Sequence, residues 1–332
     1  MKKLIKILMI LICFNIYLFF EIQNIEATKI IRIAGMKPEL EPETIGMRNF
    51  GWHLYQISNG TIDVVVYPNS ELGREEHYIA NTRRGVLQMC ATGTQLSLIH
   101  PPIAILEAPM VYENLAHAKK ALEGKTFELI KAGLIEKTGL RMLNVFPLGF
   151  RQFYTKKPIY NIGDISLFPM RIPIIPLYKN FAKECGMNAV QVNFADIRKF
   201  FDQEIIEGGC SPLSDIIALK LYDFTPEITL TNHILSIHCF FINERFYQSL
   251  TAQEREWVET AAKKASDEIW GLVSVADENA KKIIIANGGH ISEASKELHD
   301  ALLEAAKRSW KLFYDTIPNA KEILDSIDSY RN

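Results

Sequence analysis

Residues 29–68 read KIIRIAGMKPELEPETIGMRNFGWHLYQISNGTIDVVVYP, and their pattern decides the fold class. Ile30, Ile31 and Ile33 make a short apolar run that reads as a buried strand ending at Ala34-Gly35-Met36. Met47, Phe50, Leu54 and Ile57 then recur at spacings of three and four, which puts them on one face of a helix over residues 43–58. Asn59-Gly60 stops the helix, and Ile62, Val64 and Val66 alternate as in a second strand that runs to Tyr67-Pro68. The unit is β-α-β.

The same alternation continues outward. Helical patterns return at residues 75–84 and 115–122, separated by strand-like stretches at 86–91 and 103–106. Strands alternating with helices predict an α/β fold with a mostly parallel sheet and helices on its faces. Another strand is expected at 142–146, after which a second set of elements starts at 152–155, 170–173 and 177–185. Thr251 and Glu254 have the spacing of a capping box, which opens a helical pattern running to Asn287-Gly288-Gly289. At ~1.5 Å per residue that helix is roughly 50 Å long, enough to brace two adjacent lobes.

Composition bounds the rest. The chain has 332 residues, 48% hydrophobic and 23% charged, so it can bury a sizeable core and disorder is not expected. A net charge of −2, with both signs interspersed, predicts no polyanion-binding surface and therefore no nucleic-acid partner. Residues 1–27 carry Lys2, Lys3 and Lys6 ahead of an apolar run, the form of a signal peptide cut after about Ala27; retention as an anchor is the alternative. The mature chain is then an exported one. Cys90, Cys185, Cys210 and Cys239 show no zinc-type spacing; they read as buried thiols, with a Cys185–Cys210 bridge as a second option. No cofactor or metal is expected.

Several segments, taken in order, resemble the substrate-binding proteins of tripartite ATP-independent periplasmic (TRAP) transporters. They are Ser58-Asn59-Gly60-Thr61-Ile62, Tyr67-Pro68 through Leu72-Gly73, Gly149-Phe150-Arg151-Gln152 with Lys157-Pro158-Ile159, and Met170-Arg171-Ile172-Pro173. Phe194-Ala195-Asp196, Glu207-Gly208 with Pro212, and Thr231-Asn232-His233-Ile234 follow, so the resemblance spans almost the whole mature chain. It implies a two-lobed periplasmic binding protein fold with a ligand cleft between the lobes. The division expected is residues 28–148 with 237–276 in lobe I, and 149–236 with 277–332 in lobe II. It also implies a periplasmic monomer that catches a small carboxylate and hands it to a membrane permease.

The resemblance assigns the carboxylate to Arg171, with Arg151 assisting and Phe194 lining the cleft. A guanidinium suits the task because its planar fork meets a carboxylate with two parallel charge-assisted hydrogen bonds. Without the resemblance, Arg171 would read as a surface ion-pair residue and Phe194 as core. Thr92 and Met36 follow strand-like runs, where open α/β sheets place their ligands, and His238 is a further candidate for the cleft. Two positions depart from the family: Ile174 replaces a polar residue and Ser211 replaces an asparagine amide. They predict a less polar pocket for a 2-oxo acid, a C4-dicarboxylate or an aromatic acid. Two other functions share these residues: a ligand-binding subunit for a membrane sensor, and an exported hydrolase using His238 and Cys239. For the hydrolase, no G-x-S-x-G, H-E-x-x-H or P-loop signature accompanies the pair.

Overall fold

The computed structural model describes residues 28–331, so the signal-peptide segment lies outside the described residues. Strand β1 (Lys29–Ala34), helix α1 (Pro42–Ile57) and strand β2 (Ile62–Tyr67) form the expected unit. β1 and β2 pair parallel in unbroken register from Lys29 opposite Ile62 to Ala34 opposite Tyr67. The helix buries the face that the spacing marks: Met47, Phe50 and Leu54 are fully buried. Helix α2 (Glu75–Arg84) and strand β3 (Met89–Thr92) follow, and β3 adds to the other edge of β1.

Two sequence expectations change in this region. The strand expected at 86–91 begins only at Met89, because Gly85 closes α2 in the left-handed conformation and the chain must turn before it can pair. Residues 103–106 are not a strand but part of a 3-10 helix, Pro101–Glu107. Pro101 and Pro102 start that turn, since proline has no N–H to give a sheet ladder.

Strand β4 (Leu140–Thr155) is one long element where the sequence pattern suggests two. Its first part pairs antiparallel with β9 (Leu235–Asn243), and register shifts between Met142 and Asn144 and between Pro147 and Gly149 re-aim it. Its last part pairs antiparallel with β7 (Gly208–Pro212) and β8 (Glu227–Leu230). β5 (Met170–Ile172) and β6 (Ala189–Gln191) extend the second sheet beyond β7, and β10 (His290–Glu293) extends it beyond β8. The strand order is thus β2-β1-β3-β9-β4-β7-β5-β6, with β8 and β10 branching from β4. β4 is the element common to both sheets.

Helices α3 (Pro176–Glu184) and α4 (Leu213–Ala218) cover the second sheet, and α5 (Ala252–Ala286) is the long helix. Thr251 and Glu254 form the capping box in full, each side chain bonding the other's backbone N–H. α5 serves two cores. Val258, Ala261, Ala265, Ile269 and Val273 pack with β1, β9 and α1, while Ala280 and Ile284 pack with Ile216 of α4 and with Tyr154 and Ile228 of the second sheet. Ser266 Oγ and Trp270 Nε1 both donate to the Val145 carbonyl, tying the helix to β4. Cys90, Cys185, Cys210 and Cys239 are all buried free thiols, so the optional Cys185–Cys210 bridge is not formed.

Candidate ligand-binding site

Arg151 and Arg171 reach one place because β7 runs between the strands that carry them. Arg151 sits where β4 passes from one sheet to the other, opposite Pro212, and Arg171 on β5 is opposite Gly209. The approach is tight enough to require glycine: a Cβ on Gly209 would lie 2.4 Å from Tyr154 Oη and 3.0 Å from the Arg171 carbonyl oxygen. Both arginines are buried, at 5% and 4% exposure.

Their donors are spent differently. Arg151 Nη1 donates to Ser236 Oγ at 3.1 Å, Nη2 to the Cys210 carbonyl and Nε to Cys210 Sγ, while the guanidinium lies over the Tyr178 ring. Arg171 Nε donates to the Val192 carbonyl at 3.0 Å, which fixes the plane of the fork. Among the described residues, Nη1 and Nη2 of Arg171 have no protein acceptor. Burial pushes the Arg171 pKa down, Tyr154 pulls it up and the charge of Arg151 adds to the fall. An arginine side chain does not deprotonate in a protein, so this strain is relieved by an anion.

Both guanidinium groups open on a cavity of about 80 Å³ whose wall also includes Met36, Ile174, Phe194 and His238. Six of the eight residues singled out from the sequence therefore share one site. Ser211 and Thr92 do not line it. Ser211 is fully buried in β7 with no partner for its hydroxyl, and the Thr92 hydroxyl donates instead to Glu75, which does line the cavity.

The polar lining is richer than the sequence pattern suggests. Lys37, Glu75, Glu107 and Asp215 join it, so the expectation of a greasier pocket is corrected. Ile174 contributes little apolar cover because it remains 44% exposed. Glu107 accepts from Tyr178 Oη at 2.6 Å, from Thr94 Oγ1 at 2.8 Å and from the Ile237 N–H at 2.8 Å. The one sequence signal for it is a carboxylate closing the apolar run 103–106. Lys37 and Asp215 form an ion pair of 2.5 Å, and the Lys37 ammonium also lies over the Phe194 ring. No local pattern announces that pair, since its members are 178 residues apart.

Glu43, fully buried on α1, organises the first-sheet wall. Its Oε1 accepts from the N–H groups of Met36 and Lys37 at 2.7 and 2.9 Å, and its Oε2 pairs with His238 Nδ1. Burial would depress the His238 pKa, but Glu43, helped by Glu75, outweighs burial and holds it above the ordinary imidazole value. His238 thus lines the cavity beside the arginines as an imidazole whose charged form is favoured. Cys239 cannot partner it, because neighbours on a strand face opposite sides and burial holds that thiol well above its usual range. The hydrolase reading loses its nucleophile. Around the cavity Lys37, Arg151, Arg171 and His238 face Glu75, Glu107 and Asp215, and burial pushes the Glu75 carboxyl towards its neutral form, an arrangement that suits an anion.

Comparison with known proteins agrees with this architecture. A TRAP periplasmic solute-binding protein from Desulfovibrio desulfuricans, solved with bound sn-glycerol-3-phosphate, is 57% identical with a TM-score of 0.90, over 92% of this chain and 98% of that one. One from Haemophilus influenzae, solved with bound L-gulonate, is 23% identical with a TM-score of 0.86, over 92% of this chain and 100% of that one. The 2,3-diketo-L-gulonate-binding periplasmic protein YiaO of Escherichia coli is 22% identical over 91% of this chain and 92% of its own. These neighbours share the two-lobed α/β fold expected from the sequence. With the model of bacterial extracellular solute-binding protein family 7 matching residues 33–316, the chain belongs to that family, the TRAP-type solute-binding proteins.

Proposed function

We propose that the protein captures a small organic acid in the cavity around Arg171 and delivers it to the membrane permease of a TRAP transporter from the periplasm. The observation that carries this reading is the buried Arg171 fork, fixed through Nε and with both terminal nitrogens unspent, in a cavity walled by two sheets. Arg151 acts as a fixed electrostatic neighbour, since bonds to Ser236 and Cys210 from all three of its nitrogens hold its guanidinium in place.

Two head groups fit a guanidinium fork: a carboxylate, and a phosphate monoester. Carboxylates are the ligands of the H. influenzae and E. coli relatives, which are under 25% identical to this chain. The 57% identical D. desulfuricans protein holds sn-glycerol-3-phosphate, which favours a small phosphate monoester here. The lobes are residues 28–148 with 237–276, and 149–236 with 277–332. The final helix Ala320–Asp328 leans back on the first lobe, where Ser326 Oγ bonds Thr126 Oγ1.

A calorimetric panel of sn-glycerol 3-phosphate, L-gulonate, 2,3-diketo-L-gulonate and succinate tests the reading. At least one should bind, and Arg171→Ala should weaken it by 30-fold or more, on the order of 2 kcal/mol for a truncated buried charge pair. Unchanged affinity in that variant would remove Arg171 from the site.

A further inference from the structure

We infer that Lys37 and Asp215 form a hydroxyl-reading pole of the cavity, so that the ligand is an acid bearing a free hydroxyl rather than a bare acid. The inference rests on the reading of this cavity as the ligand site.

The two side chains approach from separate parts of the fold. Lys37 stands on the loop after β1 and Asp215 on α4 after β7, and they meet at 2.5 Å with side-chain exposures of 5% and 3%. A buried ion pair is a poor stabiliser, because taking two charges out of water costs about what their attraction returns. Two apolar residues would hold the contact as well. The pair is nevertheless held in place with care. The Lys37 N–H donates to Glu43 at 2.9 Å, and its carbonyl accepts from Thr44 Oγ1 at 2.7 Å and from the Asn69 N–H at 2.9 Å. The Phe194 ring centroid lies 3.9 Å from the ammonium.

Asp215 decides what such a pair recognises. A cavity meant only for an anionic head has no use for a carboxylate in its wall, which repels that head. A ligand ammonium would be repelled in turn by Lys37 and the arginines. A hydroxyl is the small group that both members serve, because it accepts from an ammonium and donates to a carboxylate. Replacing that hydroxyl with hydrogen would leave the pair only its own 2.5 Å contact and forfeit the ligand's bonds to both charges. The arginines hold the acid, and Lys37 with Asp215 selects what is attached to it.

Calorimetry on the purified protein with two matched pairs of probes tests this: sn-glycerol 3-phosphate against n-propyl phosphate, and glycerate against propionate. In at least one pair the hydroxylated member should bind about 10- to 100-fold tighter, the range of one or two hydrogen bonds to charged groups. In the double variant Lys37→Met, Asp215→Leu, which removes both charges together and keeps similar bulk, that ratio should collapse to within about threefold. A thermal melt confirms that the variant is folded. A wild-type protein that binds the members of each pair alike overturns the inference. So does a double variant that weakens both members equally, since that describes a latch between the sheets. Binding of no probe, or binding indifferent to Arg171→Ala, fails differently: it removes the cavity as the ligand site and this inference with it.

Discussion

Glu43 shows how much one residue sets. With no exposure, it fixes a loop through two N–H groups and holds the His238 pKa above the ordinary imidazole value. In Glu43→Gln the His238 imidazole should titrate at lower pH than in the wild type, read by NMR of the ring protons. The raised His238 pKa contributes stability that is full below the unfolded histidine range and is lost as pH rises through the folded pKa. Glu41 shifts stability with pH in the same direction, although there it is the neutral form that the fold favours. Burial, with Asp215 beside it, raises its carboxyl from 4.5 to about 7, against the pull of Lys37. The folded state keeps that proton after the unfolded chain has lost it, so stability falls as pH climbs from about 4.5 to about 7 and levels off above. Urea melts should show Glu41→Gln flattening that slope and gaining stability at the alkaline end.

At the scale of elements, β7 and α5 matter most. β7 threads between β4 and β5 with Gly208 and Gly209, where a Cβ on Gly208 would stand 2.8 Å from the Tyr154 carbonyl oxygen. Backbone cannot yield as a side-chain tip can, so Gly208→Ala should destabilise the fold by about 1–3 kcal/mol, the range for overpacking. It should also weaken ligand binding, because it spreads the strands that bring Arg151 and Arg171 together; denaturant melts and calorimetry measure the two effects. α5 depends on its cap instead. Thr251→Ala removes one half of the capping box and should cost about 1 kcal/mol in the same melts, with ligand affinity unchanged.

For the whole molecule, the proposed capture is a coupling between anion and closed cleft. Arg171 buried with unspent donors disfavours the empty closed state, and an anion reverses that sign. Ligand at about 100 times its Kd should therefore add about 2.7 kcal/mol to unfolding stability. Arg171→Ala, bound 30-fold or more weakly, should keep at most about 0.9 kcal/mol of that gain at the same ligand concentration, read as the shift in thermal midpoint. Arg74–Asp196 at 2.9 Å joins α2's N-terminus to the segment after β6, but its side chains are partly exposed and it adds little to this balance.

Residues 29–68 carried the β-α-β unit in their own spacing, and the capping box and long helix were equally plain, because such patterns are set by backbone geometry and local burial. Ordered motifs marked Arg151, Arg171 and Phe194. The 3-10 turn at residues 101–107 was hidden, since an apolar run of that length reads the same in either conformation. Glu43, Glu107 and the Lys37–Asp215 pair were hidden for a different reason. Each is a charged residue whose meaning comes from a partner far away in the chain: the β1-β3-β9 pairing brings Glu43 to His238, the turn at 101–107 packs Glu107 on β9, and the meeting of the two sheets brings Lys37 to Asp215. The sequence by itself determined the fold and marked Arg171 as the candidate anion anchor; the polarity of the cavity was decided by tertiary structure, because its charged lining meets only across distant parts of the chain.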